Sequence, residues 1–241
     1  MIINWISNVS GTVQPVAAIG AVCRELGVPF LVDASQATGS HPVDVQAISC
    51  DLLAQPAHKA LFSLPGLGLL YVRKGLELQP WRIGGTGYRS DLVEQPEEMP
   101  MRLESGTPNV PAIVGLDAAL DWFERTGIGA VQQHCADMLG LLWEGLSSVE
   151  GVSLIGPPPA PDRGFVLSFN IKAADPLVVS QILAENYGIS SRAGLHCAPT
   201  AHHFFGTYER GGTVRFSVSY FTTAEEIERA VSGVREVAES L

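Results

Sequence analysis

The chain has 241 residues, 46% hydrophobic and 17% charged, which is enough for a sizeable core in one or two domains and too apolar for a disordered chain. The net charge of −10, from 25 acidic against 15 basic residues, argues against a general binder of nucleic acid or membrane surface, which needs a basic patch. The longest apolar runs, such as residues 67–72, fall far short of the roughly 20 residues of a membrane-spanning helix. The first residues show no basic segment followed by an apolar one, so the cytoplasm is the expected compartment.

Residues 2–6 are apolar and β-branched and read as a buried strand ending at Ser7. Pro15 opens a helical pattern (Val16, Ile19, Val22, Leu26) that stops at Gly27. Residues 29–32 form a second buried strand ending at Asp33. Residues 51–54 form a third, and residues 67–73 a fourth after a loop rich in Gly and Pro. Short continuous apolar strands separated by helices predict a mostly parallel sheet with covered faces, hence α/β up to about residue 85. Residues 86–108 are polar and Pro-rich, without a period, and read as a connection. Ile113, Leu116, Ala119, Leu120 and Phe123 predict a helix over 109–125, and a second helix covers 131–149. There follow a strand at 152–155, a Pro-rich turn at 157–161, an alternating strand at 164–169 and a helix at 177–187. A strand at 213–217 and an amphipathic helix at 223–241 complete the chain. The second half therefore reads as α+β with a mostly antiparallel sheet. The expected division is a large domain over 1–125, including the linker near 86–108, and a smaller α+β domain over 126–241.

Ligands of open α/β sheets sit at the carboxyl ends of the strands. There the sequence puts Asn8, then Asp33 and Gln36, then His58 and Lys59. A strand-end carboxylate needs a partner; for Asp33 this is a helix N-terminus, a nearby Arg, or the protonated ring nitrogen of a cofactor. Lys59 is either a solvated surface lysine or, in its apolar and Gly-bounded stretch, a desolvated amine able to attack an aldehyde. An acid for a pyridinium and a lysine for an imine are what pyridoxal phosphate asks of a protein.

Four cysteines are widely spaced, with no C-x-x-C pair. Cys23, Cys50 and Cys135 read as inert buried thiols. Cys197 differs, because Arg192 and His196 lie close and are expected to supply a positive field that favours the thiolate; the alternative is an inert thiol in a Gly-containing loop. Arg215 is either structural or a bidentate partner for a substrate carboxylate. The Gly84–Gly85 turn in WRIGGTGYRS and Thr107 in RLESGTPN offer backbone amides and a hydroxyl suited to a phosphate, or are ordinary turns.

SNVSGTVQPV, VDASQATGSHPVDV, the His58-Lys59 pair with its Gly-rich turn, RLESGTPN, RAGLHCAP and GTVRFSVSYFTT fall in the order found in cysteine desulfurases. The chain resembles that family, part of the class-V aminotransferase group of fold-type-I pyridoxal phosphate enzymes, over nearly its whole length. The resemblance implies that Lys59 carries the cofactor and that Asp33 pairs with its ring nitrogen. It implies Gln36 and Asn8 near the phenolic oxygen or substrate, His58 at the phosphate, and Arg215 with Arg192 at the substrate carboxylate. Cys197, beside His196, would take sulfur from L-cysteine as a persulfide with release of L-alanine, and the persulfide sulfur would pass to an acceptor such as a protein. Gly84, Gly85 and Thr107 would reach the phosphate of a neighbouring subunit, which implies a homodimer. Family members usually carry a long portion before the SNVSG motif, including a phosphate loop and a ring-stacking aromatic residue. The resemblance therefore implies a truncated enzyme, or one half of a split enzyme that forms a hetero-oligomer with a complementing N-terminal chain. Pro56 stands where many members have a Ser. Selenocysteine lyase, class-V aminotransferase and a non-catalytic structural or regulatory subunit are the alternative readings.

Overall fold

The computed structural model describes residues 1–89, 91–160 and 163–240. Ser90 of the first Gly/Thr patch, Pro161 of the Pro-rich turn and Leu241 of the last expected helix lie outside them.

Three strands, β1 (Ile2–Asn4), β2 (Leu31–Asp33) and β3 (Leu52–Pro56), run parallel in the order β1-β2-β3. The crossover from β1 to β2 contains α1 (Val16–Glu25), whose buried positions Val16, Gly20 and Cys23 recur at helical spacing. A one-turn helix, α2 (Val45–Ile48), precedes β3; the Asp44 carboxylate accepts from the Gln46 and Ala47 N–H groups and caps it. One turn is too short to leave a period in the sequence. Phe30, Val32, Ile48 and Leu53 form the core of this layer.

The fourth strand, β4 (Gly68–Val72), is antiparallel to β3. The segment between them contains no helix, and a parallel return needs a crossover of a dozen or more residues. The sheet is thus mostly parallel with one antiparallel edge. The expectation of a buried first strand is corrected: β1 is the other edge, and Ile2 is 74% exposed.

The connection after β4 contains a short 3-10 turn (Met101–Leu103) and leads into α3 (Val110–Thr126), where the Asn109 side chain accepts from the Ala112 N–H. Only Gly127, at φ 81°, separates α3 from α4 (Ile128–Ser147). The second sheet is antiparallel throughout, in the order β5 (Val152–Ile155), β6 (Val166–Ile171), β8 (Thr213–Ser217), β7 (Arg192–Gly194). Against it lie α4, α5 (Pro176–Tyr187) and α7 (Ala224–Ser240), whose Leu139, Leu183 and Val234 meet Leu167 and Phe169 of β6. Each such buried side chain stabilises the fold by roughly 1.5–3 kcal/mol. The alternation expected for the strand near 164–169 is absent, because all six residues of β6 are buried. Leu167 and Phe169 face the helices, while Ser168 Oγ on the other face donates to the Val9 carbonyl of the first half at 2.6 Å. Both faces of β6 are covered, which removes the polar-out pattern of a half-solvated strand.

Candidate functional site

A cavity of about 430 Å³ lies between the two sheets. Asn8, Gln36 and Lys59 line it from the first half, and Arg192, Cys197 and Arg215 from the second. Six positions widely scattered in sequence thus share one space.

Each side chain is carried there by a short loop at a strand end. Asn8 sits in a turn closed by the Gly11 N–H donating to the Ser7 carbonyl at 3.0 Å. Asp33 ends β2, and its Oδ1 accepts from the Ser35 N–H at 2.9 Å. No other hydrogen bond reaches this carboxylate among the described residues. Lys59 lies in the turn after β3, where the Phe62 N–H donates to the Lys59 carbonyl and the Ser63 N–H to the Ala57 carbonyl, both at 3.0 Å. Phe62 holds the left-handed φ of 56° that this turn requires, and it packs against the Trp122, Phe123 and Phe221 rings. Such a conformation costs a non-glycine residue of order 1–3 kcal/mol and persists only where its surroundings fix it.

The cavity is electropositive. Desolvation pulls the Lys59 amine below its ordinary value; the Asp33 carboxylate opposes this, and the Arg215 and Arg192 charges add to it. Asp33 is therefore near enough to act on Lys59. Burial likewise lowers the Arg215 guanidinium, with repulsion from Arg192 adding. Arg215 Nη1 donates to the Asn8 carbonyl at 2.9 Å, while its buried Nε has no partner among the described residues. Arg192 Nη2 donates to Cys197 Sγ at 3.0 Å. Cys197 is the exposed thiol of the four cysteines; the other three are buried. Burial pushes the Cys135 thiol, in the cavity wall, up to about 11.

His196 does not supply the positive field expected of it. The ring is 2% exposed, its Nε2 is 2.8 Å from Thr213 Oγ1, and burial pulls it down to about 3, with Arg215, His202 and Arg192 adding. It is neutral at pH 7, so the cation beside Cys197 is Arg192. What His196 contributes is backbone. His196 and Cys197 both adopt left-handed conformations, at φ 50° and 61°, and the Asn8 side-chain amide donates to the His196 carbonyl.

Five predicted residues do not line the cavity: Asp33, which ends β2 and whose charge acts on Lys59, and four exposed ones. His58 is exposed and does not line the cavity. Gly84, Gly85 and Thr107 are exposed outside it. The two Gly/Thr patches nevertheless meet, since the Gly106 N–H donates to the Gly85 carbonyl at 2.7 Å. Ser35, Phe62 and Tyr220 also line the cavity and were not singled out from the sequence. Their signal was proximity to Asp33, Lys59 and Arg215, and nothing in their residue types distinguished them.

The donor set fits an amino-acid carboxylate and a pyridine aldehyde. Arg215 Nε is an unsatisfied cationic donor at the cavity, and Asp33 with Lys59 offers an acid and a depressed amine on one sheet edge.

The Aminotransferase class-V family model matches residues 1–230. A protein of Methanothermobacter thermautotrophicus described as a probable cysteine desulfurase is 39% identical over 98% of this chain and 60% of its own length. The apo structure of a cysteine desulfurase from Thermococcus onnurineus NA1 superposes with a TM-score of 0.91 at 30% identity, over 100% of this chain and 60% of that one. The Escherichia coli cysteine desulfurase CsdA, solved as an S-sulfonic acid, gives a TM-score of 0.90 at 27% identity, over 100% of this chain and 59% of that one. The chain thus spans about 60% of the length of the relatives it matches. With the sheet order, the strand-end acid and lysine, and a family match running from the first residue to the last helix, this chain belongs to the class-V aminotransferase family.

Proposed function

We propose that the chain carries the lysine, acid, arginine and thiol part of a pyridoxal phosphate-dependent cysteine desulfurase site. The observation that carries this reading is one cavity shared by Lys59, Arg215 and the exposed Cys197, with the Asp33 charge felt at Lys59. Class-V enzymes depend on pyridoxal phosphate, which when bound supplies the electron sink for bond cleavage at the substrate. Lys59 holds the cofactor aldehyde, its lowered amine being free of a proton in a larger fraction of molecules. Asp33 keeps the ring nitrogen protonated. Arg215 and Arg192 hold the substrate carboxylate, and Asn8 and Gln36 line the site beside them. Cys197 Sγ bonds to the substrate sulfur as the carbon–sulfur bond breaks with its electron pair going to carbon. Overall, L-cysteine and the Cys197 thiol give L-alanine and a Cys197 persulfide, and a sulfur acceptor takes up the outer sulfur atom.

The phosphate end is the part this chain's own cavity supplies least. We assign Gly84, Gly85 and Thr107, on their exposed and mutually bonded segments, to the phosphate of a partner subunit, and His58, beside Lys59, to the phosphate of the cofactor that Lys59 holds. A homodimer, or an assembly with a chain supplying the N-terminal portion, completes the cradle. Four free thiols suit a reducing compartment such as the cytoplasm.

The test is to add pyridoxal phosphate and L-cysteine to the chain, alone and with the N-terminal portion of a relative, and to measure alanine and Cys197 persulfide by mass spectrometry. Alanine and persulfide in equal amounts support the reading. No alanine in either mixture, with the cofactor bound, overturns it.

A further inference from the structure

Four consecutive carbonyls of the turn that carries Asn8 accept hydrogen bonds from the second half of the chain. Asn8 O accepts from Arg215 Nη1 at 2.9 Å, and Val9 O from Ser168 Oγ at 2.6 Å. Ser10 O accepts from Arg163 Nη2 at 2.9 Å, and Gly11 O from the Gly164 N–H at 2.8 Å. Buried backbone carbonyls must find donors, and here every one is supplied across the boundary between the two sheets.

Arg163 is the unusual member. It is 2% exposed, and no carboxylate pairs with it among the described residues. Its remaining donors go to the carbonyls of Pro157 at 2.8 Å, Gly164 at 3.1 Å and Val166 at 2.7 Å. The guanidinium lies 5.6 Å from the Trp143 ring centroid. Burial pulls it down to about 10, so it stays charged at neutral pH. A buried cation without a counter-charge is expensive, and apolar packing would stabilise the seam at less cost. What a planar fork adds is direction: one rigid group ties Ser10 O to three carbonyls of the 157–166 segment. Two residues upstream, the Asn8 side chain donates to the carbonyl of His196, the first of the two left-handed residues that present Cys197.

We propose that Arg163, which does not line the cavity, is a positioning residue that locks the Asn8 turn onto the second sheet and, through Asn8, holds the Cys197 loop in its left-handed conformation beside Arg192. The proposal rests on the reading above only in taking Cys197 as the reactive thiol.

The test is the rate of iodoacetamide alkylation of Cys197 at fixed pH, followed by mass spectrometry of the 190–200 peptide. It needs neither cofactor nor substrate, so its failure is separate from failure of the desulfurase reading. Loosening the loop removes the Arg192 contact, and Arg163→Met is expected to slow alkylation about fivefold. Val234→Ala, which destabilises the second core away from the seam, is expected to lower Tm without changing the rate. Asn8→Ala is expected to reproduce the slowing, and the Arg163→Met/Asn8→Ala double variant to be no slower than either single one. A wild-type rate in Arg163→Met, effects that multiply in the double variant, or equal slowing in Val234→Ala would overturn the proposal. Should Arg163→Met fail to fold, Ser168→Ala removes the neighbouring donor to Val9 O; slowing there supports the seam, and a wild-type rate refutes it.

Discussion

Arg192 of β7 and Arg215 of β8 stand directly opposite each other on adjacent antiparallel strands, and both line the cavity. Like charges so placed repel, and the repulsion is part of why the Arg215 guanidinium is lowered. A carboxylate between them relieves it. Arg192→Gln is expected to weaken binding of L-alanine to the chain loaded with pyridoxal phosphate by about 10-fold or more, since charge-assisted bonds are lost, while leaving the ligand-free Tm unchanged or higher. Calorimetric titration and a thermal melt check the two halves of this expectation.

The proposed function attaches the cofactor to Lys59. Pyridoxal phosphate added to the chain is expected to develop absorbance near the visible edge, and Lys59→Ala to abolish it. An unchanged spectrum in the variant would move the attachment to another amine.

The proposed function puts the transferred sulfur on Cys197. Cys197→Ser is expected to keep the cofactor absorbance and to lose persulfide formation and sulfide release from cysteine. Persistent sulfide from that variant would show that the thiol is not required.

The buried neutral His196 makes stability depend on pH. Its folded value is about 3 against an ordinary 6.5, so between these limits the unfolded chain binds a proton that the folded chain refuses. Its stabilisation is complete above pH 6.5 and is lost as pH falls, at up to about 1.4 kcal/mol per pH unit. His202, also lowered by burial, adds in the same sense. His196→Asn is expected to flatten the dependence of unfolding free energy on pH between 6.5 and 4. Denaturant melts across that range check it, and an unchanged slope would assign the acid sensitivity elsewhere.

Gly212 packs closely against Gly194 at the end of β7. It sits at φ 103°, and a Cβ there would lie 2.1 Å from the Gly194 carbonyl oxygen of the facing strand. Gly212→Ala is expected to destabilise the chain by about 2–4 kcal/mol, from a left-handed non-glycine residue plus displaced backbone. Gly75→Ala, also at positive φ but with open space around it, is expected to cost about 1 kcal/mol. A urea titration of both variants separates the two costs.

The long elements were legible because burial imprints a period on them. Ile113, Leu116 and Phe123 announced α3 to within a residue, and Asn109 proved to be its cap. Helices of one or two turns leave no such imprint, and the sequence reading has neither α2 nor α6 (Pro199–Phe204). It also lacks β7, which, unlike β1 and β2, does not lie in an apolar run. Arg192-Ala193-Gly194 has no strand propensity; it is a strand because β8 offers it an edge. The direction of β4 and the two covered faces of β6 likewise depend on neighbours that are remote in sequence.

By itself the sequence determined the chemistry on offer: an acid ending an apolar strand, a lysine in a Gly-bounded turn, and a thiol and arginines within short loops. Residue type and local pattern suffice for that, because strand ends and turns are set by nearby residues. Only the tertiary structure decided which of these groups share a space and in what charge state. It made Arg192 rather than His196 the cation at Cys197, left His58 outside the cavity, and hung the Asn8 turn on donors more than 150 residues away in the chain. Burial and long-range hydrogen bonding fix those outcomes, and both are properties of the packed chain that no local window of sequence contains.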